Sequence, residues 1–135
     1  MKHIYTLAIA ILCAACTKPD KSVEYTATGY NASVQYVDAN EVWQSTALST
    51  TYRVDSATVD TIIAGVDTTI TIADTVVIPE TWSFRFDAPH DGTARMTLTQ
   101  NFGNEPGATA SIRIDGVPVA SGSVAKYRDQ VTLHP

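Results

Sequence analysis

Apolar and polar residues alternate with a period of two along most of this chain. Trp82, Phe84 and Phe86 interleave with Ser83, Arg85 and Asp87, and Ala94, Met96 and Leu98 continue the pattern. Ala108, Ala110, Ile112 and Ile114 alternate with Thr109, Ser111 and Arg113. Side chains two apart share one face of a strand, so each run predicts a strand with one buried side. Val23 to Thr28 and Ala32 to Tyr36 alternate in the same way around Gly29-Tyr30-Asn31, which predicts a hairpin. Asp115-Gly116 stands between alternating runs that continue through Val117 and Val119, a strong hairpin signal because both turn positions need positive φ. Pro89-His90-Asp91-Gly92 reads as a turn, Gly122 and Arg128-Asp129 punctuate the last strands, and Val131 and Leu133 are apolar at the end.

The middle of the chain has a different texture. Asp38 to Thr51 is the least patterned stretch and reads as a loop carrying Trp43. Tyr52 to Asp55, Val59 to Ile63 and Thr68 to Ile72 follow, with a turn expected around Gly65-Val66-Asp67. Val-Asp recurs at 54–55, 59–60 and 66–67, with Asp-Thr-Val at 74–76, at spacings too uneven for a solenoid repeat. The segment from about 43 to 75 therefore reads as a loop and a Thr/Asp-rich hairpin inserted in a smaller domain. Val76-Val77-Ile78 ends at Pro79, which has no N–H for a ladder and marks a strand end.

No sustained 3.6-residue period appears after the first residues. The expected fold is all-β, an immunoglobulin-like β-sandwich of about seven to nine antiparallel strands with an inserted hairpin. Trp82, Phe84, Met96, Leu98, Ile112, Ile114 and Val119 are its expected core.

The start of the chain breaks the β texture. Lys2 and His3 precede a run from Ile4 to Leu12 that is apolar apart from Thr6, then Cys13-Ala14-Ala15-Cys16. A basic start, a short apolar core and small residues before a cut mark an export signal. Nine residues of helix rise roughly 13 Å, well short of a ~30 Å hydrocarbon core, which disfavours an uncleaved transmembrane helix. The segment resembles the lipobox of bacterial lipoproteins, with Cys13 in its aliphatic position and Leu12 one residue early. That resemblance implies a signal peptide over residues 1–15, a lipid on Cys16, a tether over 16–22 and a domain over 23–135. Thr17 rather than aspartate after the cysteine implies the outer membrane.

Cleavage there removes one lysine and no acid, taking the net charge from −5 to −6. An acidic balance argues against nucleic acid and against a polybasic membrane contact. With Cys13 in the leader and Cys16 lipidated, the domain keeps no disulfide, so an exported chain must be held by its core.

A second resemblance is carried by Leu98-Thr99-Gln100-Asn101, Ala110 to Gly116, Ser121-Gly122, Tyr25 to Gly29, and Ile78-Pro79 with Trp82. In that order they resemble the MmpS-like small membrane protein domain, which also occurs on Bacteroidota-type lipoproteins. The resemblance spans residues 23 to 126, interrupted from about 43 to 75. It implies a β-sandwich and, from the family, an accessory role beside large exporters. The family's late cysteine pair and its transmembrane helix are not matched here.

Candidate chemistry is sparse. Two histidines remain after the leader, His90 and His134, too few for a zinc site. His90-Asp91 invites a Ser-His-Asp reading, but no nucleophile elbow accompanies it. Asp38-Ala39-Asn40 opens like a calcium loop, yet Trp43 stands where glycine is needed. No catalytic residue, metal or cofactor is assigned. Asp55, Asp60, Asp67 and Asp74 on the inserted hairpin are the expected partner-binding residues, with calcium as the alternative use of the same carboxylates. Trp43 and Tyr52 are expected to be half-buried, or else to stack on sugar or a partner. The expected function is a lipid-anchored envelope module that docks onto another envelope protein; the alternative is a sugar-binding or hydrolytic surface lipoprotein using His90, Asp91 and Trp43.

Overall fold

Val23, Tyr25 and Ala27 alternate with Glu24, Thr26 and Thr28, and every member of the first set is buried. That strand, β1 (Lys21–Gly29), is central in one of two stacked sheets in this computed structural model, which describes residues 18–102 and 106–135. The expected leader and the expected lipid site, Cys16, lie outside the described residues.

Nine further strands follow: β2 (Ala32–Val37), β3 (Trp43–Leu48), β4 (Thr51–Ile63), β5 (Val66–Ile78), β6 (Glu80–Ala88), β7 (Met96–Gln100), β8 (Ala108–Ile114), β9 (Val117–Val124) and β10 (Gln130–Leu133). One sheet runs β6-β1-β8-β9, the other β10-β7-β2-β3, and β4 pairs only with β5. All pairings are antiparallel. Among the described residues the fold is an all-β sandwich of eight antiparallel strands, within the expected seven to nine, with β4–β5 as the inserted hairpin.

The core lies between the sheets. Val23, Tyr25, Val34, Met96, Leu98 and Ile112 are fully buried, and Trp82, Phe84 and Phe86 pack against them half-buried from the edge strand β6. Tyr36 joins the sheets by ring contacts at 4.9 Å with both Trp82 and Phe84 and 5.8 Å with Tyr25. The Tyr25 hydroxyl crosses between the layers: it donates to the Val37 carbonyl (2.9 Å) and accepts the Arg95 N–H (3.1 Å). Burial pushes the Tyr25 pKa up, because the phenolate is poorly solvated there.

Four expectations are corrected. Val23–Thr28 and Ala32–Tyr36 do not form a hairpin; β1 and β2 lie in different sheets. The reason is local, since of the two linking residues only Asn31 has positive φ (42°), whereas a two-residue type I′ turn needs both. The chain arches across the sandwich instead, and the buried Gln100 holds the arch by donating to the Tyr30 carbonyl at 3.0 Å. Gly29, at the arch, is required: a Cβ there would lie 2.2 Å from the Ala108 Cβ.

Val119 is not core. It is 42% exposed, because the β8–β9 register slips between Ile112 and Arg113, Ile112 facing Ala120 and Arg113 facing Pro118. Val119 is the extra residue of this β-bulge, which reverses the inward parity so that Ala120, Gly122 and Val124 continue the Ile112 face. Ile114, on the same face as Ile112, is only half-buried at the strand end.

The supposed loop from Asp38 to Thr51 contains a strand, β3, paired to β2 over six residues. Finally, the inserted hairpin turns one residue earlier than expected, through Ala64 (φ 53°) and Gly65 (φ 81°), so Val66 and Asp67 belong to its second strand.

Candidate functional site: an exposed two-stranded ribbon

Alternating Thr, Val, Ile and Asp give β4 and β5 strong strand propensity, and the Ala64-Gly65 turn sets their register. They pair over thirteen rungs, from Thr51–Ile78 at the root to Ile63–Val66 at the tip. At about 3.4 Å per residue such a ribbon is roughly 44 Å long. Twelve of thirteen residues in β4 and nine of thirteen in β5 are exposed. Neither strand pairs with either sheet, so both ribbon edges carry backbone N–H and C=O groups without ladder partners.

The root is fixed where β3 hands over to β4 and β5 to β6. The Glu80 carboxylate accepts the Ser49 N–H, the Asn31 side chain accepts the Thr50 N–H (3.3 Å), and Thr28 and Thr81 share a hydroxyl contact at 3.1 Å. The ribbon thus springs from two edge strands of different sheets, β3 and β6.

Register sorts the ribbon into unlike faces. One face carries the rungs Arg53–Val76, Asp55–Asp74, Ala57–Ile72, Val59–Ile70, Thr61–Thr68 and Ile63–Val66. The opposite face carries Ser56–Ala73, Thr58–Thr71, Asp60–Thr69 and Ile62–Asp67 through its middle and tip, and is mainly polar. Val59, Ile63, Val66 and Ile72 are 43%, 53%, 63% and 51% exposed, so the first face is a bare apolar strip.

The four aspartates do not converge. Asp55 and Asp74 sit directly opposite on the apolar face, where like charges repel; Asp60 and Asp67 lie on the other face, two rungs apart. Arg53 grips Asp55 through Nε (2.8 Å) and Nη2 (3.0 Å), and Thr69 donates to Asp60 at 2.6 Å. Among the described residues no group of three or more His, Cys, Asp or Glu is arranged to hold a metal ion. The apolar strip was the feature missed by attending to aspartates. Its signal was present in the Ile70 and Ile72 alternation with Thr69 and Thr71.

The other candidates fall elsewhere. His90 and Asp91 occupy a tight turn closed by the Gly92 N–H on the Pro89 carbonyl (2.8 Å), and both are exposed. Asp38 organises its own turn: its carboxylate accepts the Gln44 amide (2.8 Å) and the N–H groups of Asn40 and Val42. Those bonds, the Gln44 one first, hold the Asp38 carboxyl below the usual aspartate range. Trp43 and Tyr52 are 50% and 58% exposed. Trp43 lines a shallow hollow of about 340 Å³ with Gln35, Arg95, Thr97, Gln130 and Thr132, on the outer face of the second sheet. Asp91 lines other hollows than Trp43 does, one of them bordered, like that of Trp43, by Arg95. Among the described residues no helix is long and apolar enough to cross a membrane.

No protein-family model matches the chain, and no curated protein matches it.

Proposed function

We propose that this protein is a non-catalytic, lipid-anchored module of the cell envelope, held at the outer membrane through Cys16, whose β4–β5 ribbon docks it to an envelope protein partner. An accessory place in a transport assembly follows from the MmpS-like resemblance. One observation carries the reading: beyond its half-buried root the ribbon is almost wholly exposed, with an apolar face bare. A lone two-stranded hairpin is marginally stable in water, and monomers rarely display contiguous apolar surface without using it. Its free edges also suit strand addition by a partner. The leader and lipobox residues support the address, and an aspartate-bearing ribbon supports a docking role better than a metal site.

The test is cross-linking in the native envelope, with and without residues 55–74. Loss of one dominant protein partner on deletion is the expected outcome. The alternative has its own observation, the exposed Trp43 among the amides and guanidinium of Gln35, Gln130 and Arg95, an arrangement suited to a sugar ring. If partners are unchanged on deletion while Trp43→Ala abolishes glycan binding, the docking reading fails and the sugar-binding one stands.

A further inference from the structure

We infer that the hollow beside Trp43 takes a sugar ring that carries a carboxylate, a uronic-acid unit of an acidic glycan. This rests on the sugar-binding reading of the hollow and is independent of the ribbon, which follows the far end of β3. Three observations point there. The first is placement. Two neighbouring cross-strand rows meet at the hollow, on the outer face of the β10-β7-β2-β3 sheet. One sets Trp43 opposite Val37 and continues to Arg95, whose carbonyl accepts the Val37 N–H at 3.0 Å. The other is Gln35–Thr97–Thr132. Trp43 and Arg95 thus stand two strands apart, about 10 Å between backbones. That span and a volume of about 340 Å³ suit a single ring. The exposed indole offers a flat apolar platform for the C–H face of a sugar.

The second observation is charge. In a chain of net charge −5, the lining of this hollow holds one cation, Arg95, and no carboxylate. The ion pair found among the described residues is Arg53–Asp55, so the Arg95 guanidinium has no carboxylate partner there. Asp91 borders the neighbouring hollow together with Arg95 and is not paired to it. The Arg95 backbone is nonetheless fixed on both sides, since its N–H donates to the Tyr25 hydroxyl at 3.1 Å and its carbonyl is held by Val37. A guanidinium on a pinned backbone, its donors unused, fits a carboxylate, which it can hold by two parallel N–H···O bonds. A neutral sugar leaves those donors to water.

The third observation is the kind of polar group around the cation. The Gln35 amide has no hydrogen-bond partner among the described residues. Thr97 and Thr132 share a hydroxyl contact at 3.1 Å, and Gln130 uses one amide hydrogen on Thr99 at 3.2 Å. Amide donors and acceptors and a spare hydroxyl therefore remain for the hydroxyls of a ring. An acidic peptide also carries carboxylates, but the floor of the hollow is β2 and β7, each already paired on both sides. No free backbone edge lies there for a peptide strand to join.

The test is binding of the full chain, in detergent micelles, to oligosaccharides of glucuronate, galacturonate and mannuronate. Each probe is set against its carboxyl-reduced counterpart, which bears a CH2OH in place of the carboxylate. The expected result is a pair whose acidic member binds tighter by about tenfold or more, with a preference that shrinks as salt rises. Arg95→Gln should bring the acidic probe down to the affinity of the reduced one and leave the reduced one unchanged, closing a cycle between the protein's charge and the ligand's. Arg95→Lys keeps the charge without the fork and should fall between. Trp43→Ala should abolish binding of both members. Arg113→Gln, exposed on the other sheet, and deletion of residues 55–74 should change neither. Circular dichroism confirms that each variant keeps the sandwich. Acidic and reduced members bound alike, or a preference that survives Arg95→Gln, overturns the inference and leaves the sugar-binding reading standing. No binding to any probe overturns both and leaves the docking reading untouched. A glutamate oligopeptide held as tightly as the uronates, and lost with Trp43→Ala, overturns the inference in favour of an acidic peptide.

Discussion

Two hairpins in this molecule close on the same geometry and meet opposite surroundings. β8 and β9 turn through Asp115 and Gly116, with φ of 52° and 80°; β4 and β5 turn through Ala64 and Gly65, with φ of 53° and 81°. Both turns follow the right-handed twist of their strands, so both hairpins are locally well specified. Yet β8 buries Ala108, Ala110 and Ile112 against the second sheet, while β4 and β5 bury nearly nothing. Turn chemistry fixes which residues pair. Only packing decides whether the pair is a structural element or an exposed surface.

The largest effect expected from this contrast lies in the apolar residues. Ile112→Ala should cost about 2–5 kcal/mol of unfolding free energy, whereas Ile70→Ala on dilute chain should stay within about 0.5 kcal/mol. Chemical denaturation measures both, and equal losses would mean that the ribbon packs on the sandwich. Next comes the polar bolt between sheets. Tyr25→Phe strands the Val37 carbonyl and the Arg95 N–H, so it should cost about 1–3 kcal/mol with no change in the ribbon's amide exchange.

The turns give a finer comparison. A Cβ at Gly116 or Gly65 meets nothing within 4 Å, so replacement by alanine adds backbone strain alone, about 1 kcal/mol. Gly116→Ala should lower global stability by that amount. Gly65→Ala should instead speed amide exchange near the tip and leave the melting of the sandwich unmoved. Matching global losses would tie the ribbon's fate to the core.

The smallest effect is electrostatic. The folded Asp38 carboxyl titrates below its unfolded range, so its contribution is present above the unfolded pKa and is lost as pH falls through the folded one. Acid titration below about pH 4 should therefore loosen the Asp38–Val42 turn first. Asp38→Asn should flatten that part of the pH–stability curve. A curve unchanged by the substitution would show that the turn does not need the charge.

Much of the sandwich was legible because alternation reports burial directly, as with Met96, Leu98 and Ile112. What escaped was set by backbone geometry that side-chain pattern does not encode. The bulge at Val119 swaps faces without any glycine to announce it, and Asn31 alone turns the chain across sheets rather than back along one. β3 was invisible for another reason: as an edge strand with one buried residue, Leu48, it has almost no pattern to show. The inserted hairpin was legible as a hairpin, and its aspartates as charges. Its apolar strip emerges only once the register pairs Val59 with Ile70 and Ala57 with Ile72.

The root of the ribbon has a consequence for how such a chain varies. Ser49 and Glu80 are tied by a hydrogen bond, so the ribbon beyond its root, from Val54 to Thr75, is a detachable loop as far as the two sheets are concerned. Length can change there without repacking the interior, but not freely. Removing two residues from each strand, such as Val59-Asp60 with Thr69-Ile70, shortens the ribbon and keeps every remaining side chain on its own side. Removing one from each preserves pairing and turns the tip over, moving Ile63 and Val66 to the wet side. Natural size variants of this appendage should therefore differ in steps of two rungs, four residues at a time.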